Sequence, residues 1–142
     1  MISIIIPTYK ERDSISGFLD FLSENSLGRI KEIIVVDATN CEETRTIVES
    51  KGHQFITSRQ GRAIQMNAGA AKASGEILYF LHADSYPPAK FDEAIIDSIE
   101  SDFGAGCFYM GFDSRHPVLR MFGWFTRFKS NWCRGGDQSL YI

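Results

Sequence analysis

The sequence predicts an α/β fold: a mostly parallel sheet with helices on both faces. Three observations carry this. Residues 3–7, 33–36 and 77–81 are short apolar runs without polar alternation, the pattern of strands buried on both faces. Between the runs lie segments with apolar residues at helical spacing. Each strand-like run then stops at a proline, an aspartate or a histidine, and strands alternating with helices of this length imply βαβ units.

Taken in order, residues 3–7 form a β-branched strand closed by Pro7. Residues 8–13 are a polar loop. A helix over residues 14–27 places Ile15, Phe18, Leu19 and Leu22 at helical periods, and Gly28 suits its end. Residues 33–36 are a second strand, ending in Asp37. Residues 41–51 read as a helix stopped by Gly52, and residues 53–57 as a short strand. After a loop over residues 58–62 comes a small-residue helix, 63–72, closing near Ser74 and Gly75. The fourth strand, 77–81, is bounded by Gly75 and by Pro87 and Pro88. A helix over residues 90–99 sets Phe91, Ala94, Ile95 and Ile99 on one side, and residues 105–112 form a further strand. The sequence ends inside an apolar run, Leu140 to Ile142, which predicts that the domain continues past this chain or finishes on a partner.

A chain of 142 residues fits one domain, residues 1–142, and 44% hydrophobic with 23% charged residues is an ordinary globular composition. The net charge of −3 gives no global reason to expect nucleic acid as a partner. Cys41, Cys107 and Cys133 are odd in number and lack CxxC spacing, so they read as reduced thiols of a cytoplasmic protein. The apolar start is too short for a signal-peptide core, and no run approaches the ~18 apolar residues of a membrane span.

Right-handed crossovers bring the loops at residues 8–13, 37–40, 59–62 and 82–84 to one sheet edge, where open α/β sheets bind ligands. These loops carry Glu11, Asp13, Asp37 and Asp84, with Glu42 close by. A carboxylate just past a buried strand is costly unless paired, hydrogen-bonded or metal-bound. Oxygen ligands beside phosphates suit Mg²⁺ or Mn²⁺. Arg59 and Arg62 suit phosphate oxygens, Gly61 permits close backbone approach, and a helix start follows. Plainer readings stand beside these: Asp84 caps the turn before the prolines, and each arginine is a solvated loop residue. There is no GxGxxG after the first strand and no GxxxxGK[ST], which argues against a dinucleotide oxidoreductase and a P-loop enzyme.

Ile4-Ile5-Ile6-Pro7-Thr8-Tyr9-Lys10-Glu11, Ile34-Val35-Val36-Asp37, the run from Gly61 to Ala70 (GRAIQMNAGA) and Leu81-His82-Ala83-Asp84 resemble family-2 glycosyltransferases with the Rossmann-like GT-A fold. The GRxxQMNxGA and LHAD forms are similar to one bacterial subfamily. The likeness runs from Met1 to about Ser85 and resumes at Gly136-Asp137-Gln138. It implies that Pro7, Thr8, Tyr9 and Glu11 line a nucleotide pocket, with Asp37 meeting the base. Arg62 and Arg59 would lie near the diphosphate, Asn67 would support the sugar-nucleotide loop, and Asp84 would bind the metal of a DxD motif. His82 stands where the first acid of that motif usually does. On an extended stretch it would point the same way as Asp84, as a donor to ribose or phosphate or as a weaker ligand. Asp137 would be the general base of an inverting displacement; its plainer reading is a loop aspartate after two glycines. The donor implied is a UDP or GDP sugar. Rival readings are a nucleotidyltransferase and a non-catalytic nucleotide-binding domain.

Residues 116–134 are aromatic and basic, with Arg120 and Arg127 on one helix face. Such a helix suits the inner face of a membrane and a lipid-linked acceptor. The plainer reading, preferred here, is a helix packed on the sheet. An apolar C-terminal third with little chain to cover it also predicts a homo-oligomer.

Overall fold

The strand that opens the chain, β1 (Ile2–Thr8), becomes the middle of the sheet. The computed structural model describes residues 1–101, 103–108 and 139–142. In it follow α1 (Arg12–Glu24), β2 (Ile30–Asp37), α2 (Glu42–Ser50), β3 (Gln54–Thr57), α3 (Arg62–Ala70), β4 (Ile77–Phe80), α4 (Phe91–Glu100), β5 (Gly106–Cys107) and β6 (Leu140–Tyr141). The sheet order is β3-β2-β1-β4-β6-β5. β3, β2, β1 and β4 are parallel neighbours, whereas β6 runs antiparallel to both β4 and β5. The expected mostly parallel α/β sheet is therefore the one found.

Each face has its own core. Ile2, Ile4 and Ile6 of β1, Ile33 and Val35 of β2, and Ile77 and Tyr79 of β4 pack with Ile15, Phe18, Leu19 and Leu22 of α1, Val48 of α2, and Phe91 and Ile95 of α4. On the other face Ile5, Ile34 and Val36 meet Ala68 and Ala70 of α3. Alternate residues of one strand thus serve opposite cores, which is why β1 and β2 read as unbroken apolar runs. The expectation of two fully buried faces is corrected at β4, where Leu78 and Phe80 are only half-buried.

The small residues of α3 let it lie close on the sheet. A Cβ added at Gly69 would collide with Ile5 Cγ2 and lie 3.0 Å from Val36 Cγ2. Both obstacles are fully buried and have nowhere to move.

At the opposite, amino edge, Glu32 of β2 fastens several elements. Its Oε1 accepts from Ser3 Oγ at 2.7 Å, Ser74 N at 2.7 Å and Ser74 Oγ at 2.8 Å. Gln54 Nε2 donates to Oε2. Partial burial alone would raise this carboxyl, but the serine hydrogen bonds outweigh it and hold Glu32 below the usual carboxylate range.

The expected helix 14–27 starts two residues earlier, at Arg12, and ends at Glu24, where Asn25 Nδ2 bonds the Phe21 carbonyl at 2.9 Å. The expected apolar side of the helix at 90–99 also needs correction. Ala94 is exposed and Asp92 is fully buried. Asp92 Oδ2 accepts from Leu27 N at 2.8 Å and Arg29 N at 3.0 Å, so it ties α4 to the turn before β2. Of the strand expected over residues 105–112, Gly106–Cys107 is seen, and residues from 109 lie outside the described part. No helix among the described residues is long and apolar enough to cross a membrane.

Two expectations follow. Gly69→Ala should destabilise the fold by up to about 2 kcal/mol net, since overpacking costs roughly 1–3, here towards the upper end because the obstacles are fully buried, and alanine recovers about 1 in a helix interior; urea unfolding measures it. Glu32 has a depressed folded pKa, so its stabilisation is complete above its unfolded value of 4.5 and is lost as pH falls through the folded value. The urea midpoint of the wild type should therefore drop more steeply between about pH 5 and pH 3 than that of Glu32→Gln.

Candidate functional site

The site is built where the parallel strands end. Thr8, Asp37 and Thr57 stand in register across β1, β2 and β3. Asp37 is 1% exposed, still inside the sheet. Its Oδ1 accepts from Thr8 Oγ1 at 3.1 Å. Its Oδ2 accepts from Thr39 N at 2.9 Å, Thr39 Oγ1 at 2.7 Å and Cys41 N at 3.1 Å. A buried carboxylate is tolerable here because donors surround it. The resemblance implies that Asp37 meets the base; the structure adds how its carboxylate is held. Both oxygens are engaged within the protein, and what Asp37 does is bend residues 38–41 into a fixed loop, with Asn40 at φ 53°.

The loop after β1 lies beside it. Pro7 is half-buried, and Tyr9 is exposed with Lys10 Nζ 5.3 Å from its ring centre. Glu11 precedes α1 and accepts Ser14 Oγ on its carbonyl at 3.1 Å and on Oε2 at 3.2 Å. Arg12 Nη1 donates to Glu43 Oε2 at 2.7 Å, which joins the starts of α1 and α2. The Arg12 hydrogen bond holds the Glu43 carboxyl below its ordinary range.

The third contribution is α3. Gly61, at φ 140°, admits a backbone turn that a side chain would resist, and the helix begins at Arg62. Arg62 Nη2 lies 3.2 Å from His82 Nδ1. Arginine has no acceptor, so Nδ1 must accept and the ring proton sits on Nε2. In that tautomer Arg62 holds the His82 ring and Nε2–H is a donor. Arg59 is exposed in the loop before α3, and Asn67 is exposed on its second turn.

Past β4, Leu81 N donates to Ile5 O at 3.0 Å, and Ser85 N donates to His82 O at 3.0 Å. The segment is a turn rather than an extended strand. His82 is consequently 8% exposed while Asp84 lies exposed, and the expectation that both point one way fails. Ser85 Oγ donates to Asp84 Oδ1 at 3.2 Å. The described residues contain no group of three or more metal-ligating side chains. One exposed carboxylate fits a Mg²⁺ or Mn²⁺ that takes its other ligands from phosphates and water. Asp137 and residues 116–134 lie outside the described residues.

Gln65 was missed. It is 4% exposed, and its Nε2 donates to Thr8 O and Val36 O, each at 2.8 Å. The signal was its spacing of four from Gly69, which puts a polar residue on the sheet side of α3.

A mostly parallel sheet whose carboxyl tips gather a fixed acidic loop, an arginine–histidine pair and an exposed carboxylate defines an α/β domain with polar groups at the edge where open α/β sheets hold ligands. A model of the family described as Glycosyl transferase family 2 matches residues 3–136, and the chain belongs to that family. It is similar to an uncharacterized glycosyltransferase of Haemophilus influenzae, 30% identical over 101 residues, 67% of this chain and 33% of the relative. A mannosyltransferase of Pyrobaculum calidifontis, solved in complex with GDP-Man and Mn²⁺, superposes with a TM-score of 0.62 at 27% identity, covering 77% of this chain and 35% of the other. Glucosyl-3-phosphoglycerate synthase of Mycobacterium tuberculosis, solved with Mn²⁺, UDP and glucosyl-3-phosphoglycerate, gives 0.71 at 18% identity over 100% of this chain and 56% of the other, a likeness of the GT-A fold. The chain spans between 19% and 35% of the length of the curated relatives it matches.

Asp37→Ala should lower stability by at least about 2 kcal/mol, because charge-assisted hydrogen bonds are lost and buried donors are left unpaired. Urea unfolding, with proteolysis of the 38–41 loop as a local readout, checks this.

Proposed function

We propose that this domain moves a sugar from a nucleoside-diphosphate sugar, of UDP or GDP type, to an acceptor hydroxyl with inversion. The observation that carries the reading is the shared edge: the Thr8–Asp37 pair, the Arg62–His82 pair and exposed Asp84 all lie at the carboxyl tips of β1, β2 and β4. The family membership and the GDP-Man complex of the Pyrobaculum relative support the donor class.

On this reading the loops at residues 7–11 and 38–41 receive the nucleoside. Arg59 and Arg62 receive the diphosphate, His82 gives it an Nε2–H, and Asn67 lies towards the sugar-nucleotide loop. Asp84 would hold the Mg²⁺ or Mn²⁺, which when bound supplies charge neutralisation for the departing diphosphate. Asp137, from the family resemblance, would accept the proton of the attacking hydroxyl. Two residues on, Ser139 Oγ lies 3.1 Å from Tyr79 Oη, and Leu140 pairs with Phe80, so β6 begins at the carboxyl end of β4. That is the edge where a base would be needed.

Calorimetry with UDP and GDP, with and without Mn²⁺, tests the site. Asp84→Ala should weaken nucleotide binding at least tenfold, about 1.4 kcal/mol or more, without a change in melting temperature, because Asp84 is exposed. Unchanged binding in that variant would remove Asp84 from the site.

A further inference from the structure

Gln65 stands between two halves of the edge. On one side are Thr8, Asp37 and the 38–41 loop; the Thr8 carbonyl that accepts from Gln65 also accepts from Ala38 N at 3.1 Å. On the other side are Arg62, one turn earlier on α3, and the His82 that it bonds. Gln65 spends both amide protons on carbonyls of two neighbouring strands. The amide is buried with both protons bonded, so the side chain ties α3 to two strands at once. Gly69, four residues on, holds α3 down at a second point against Ile5 and Val36. With two anchors on the sheet, the helix has little freedom to slide or tilt, and Arg62 is carried on its first turn.

We infer that Gln65 is a positioning residue that sets the span between the nucleoside half and the diphosphate half of the site. The inference rests on the proposed function and deepens it. Two half-sites held at the spacing of a ligand bind the joined ligand far better than either piece alone, because the second contact becomes intramolecular. Without the clamp each half remains, but their spacing is no longer fixed. The predicted loss therefore falls on the whole nucleotide and spares its parts, and a merely structural role would not produce that pattern.

The test is a titration of the 142-residue chain with Mg²⁺ present, followed by chemical shift. UDP, uridine and pyrophosphate form one series, and GDP, guanosine and pyrophosphate a second. Gln65→Met keeps the volume and removes both donations. Its affinity for the nucleoside diphosphate should fall on the order of tenfold, while the nucleoside and pyrophosphate each stay within about twofold. Gln65→Asn, one methylene too short to reach both carbonyls, is the second variant should Gln65→Met fail to fold, and it should show the same pattern. Undiminished binding of the diphosphate, or an equal loss of all three ligands, overturns the inference while leaving the transferase reading intact. A wild-type chain that binds neither UDP nor GDP overturns both.

Discussion

Polar groups at the tips of buried strands must be satisfied, and the carboxyl edge of this sheet is organised by that requirement. β1 and β2 are covered on both faces, so their last carbonyls and the Asp37 carboxylate lie where water is scarce. The protein answers with its own donors. Thr8, Thr39 and Cys41 take up the carboxylate, and Gln65 takes the carbonyls of Thr8 and Val36. Each answer comes from a different element, so satisfying the strand tips also locks the loops together. A rigid edge follows from burial before any ligand is considered.

The amino edge is tied by two other carboxylates, one of which, Asp92, meets the requirement with Oδ2 alone; its Oδ1 is buried without a hydrogen-bond partner among the described residues. Glu32 gathers Ser3, Ser74 and Gln54, and Asp92 holds the backbone between α1 and β2. Burial raises the phenol of Tyr79 well above its ordinary range, and the hydrogen bond to Ser139 offsets part of that. These buried or half-buried polar groups sit at fixed points between elements. At the carboxyl edge, by contrast, Tyr9, Arg59 and Asp84 are exposed. Rigidity below and exposure above are what a preorganised site needs.

The four parallel strands, their order of appearance and the helices between them were legible because each has an unbroken apolar run or a helical period. The convergence of Thr8, Asp37, Arg62 and Asp84 on one edge followed from crossover handedness alone. What escaped was decided by pairings distant in sequence. Nothing near Asp92 marks it as buried; its partners lie more than sixty residues earlier, at Leu27 and Arg29. The antiparallel insertion of β6 between β4 and β5 joins residues 140–141 to residues 79–80 and 106–107, and two-residue strands carry no periodicity. Gln65 was partly legible: its helical face was readable, but the two carbonyls beneath it were not.

The two aspartates at strand ends show where such reasoning divides. Both follow buried runs, and a carboxylate in that place was expected to meet a ligand in each case. In the ladder, however, Asp37 is still level with Thr8, whereas Asp84 lies four residues beyond the end of β4 in a turn closed by His82 and Ser85. For a cation to reach Asp37 it would have to displace donors that already stabilise the charge, and each charge-assisted bond is worth about 1.5–3 kcal/mol. Asp84 is exposed and accepts within the protein from one serine hydroxyl. The same side-chain chemistry at the ends of two different strands is thus sorted by depth: the inner carboxylate shapes the loop, and the outer one stays exposed.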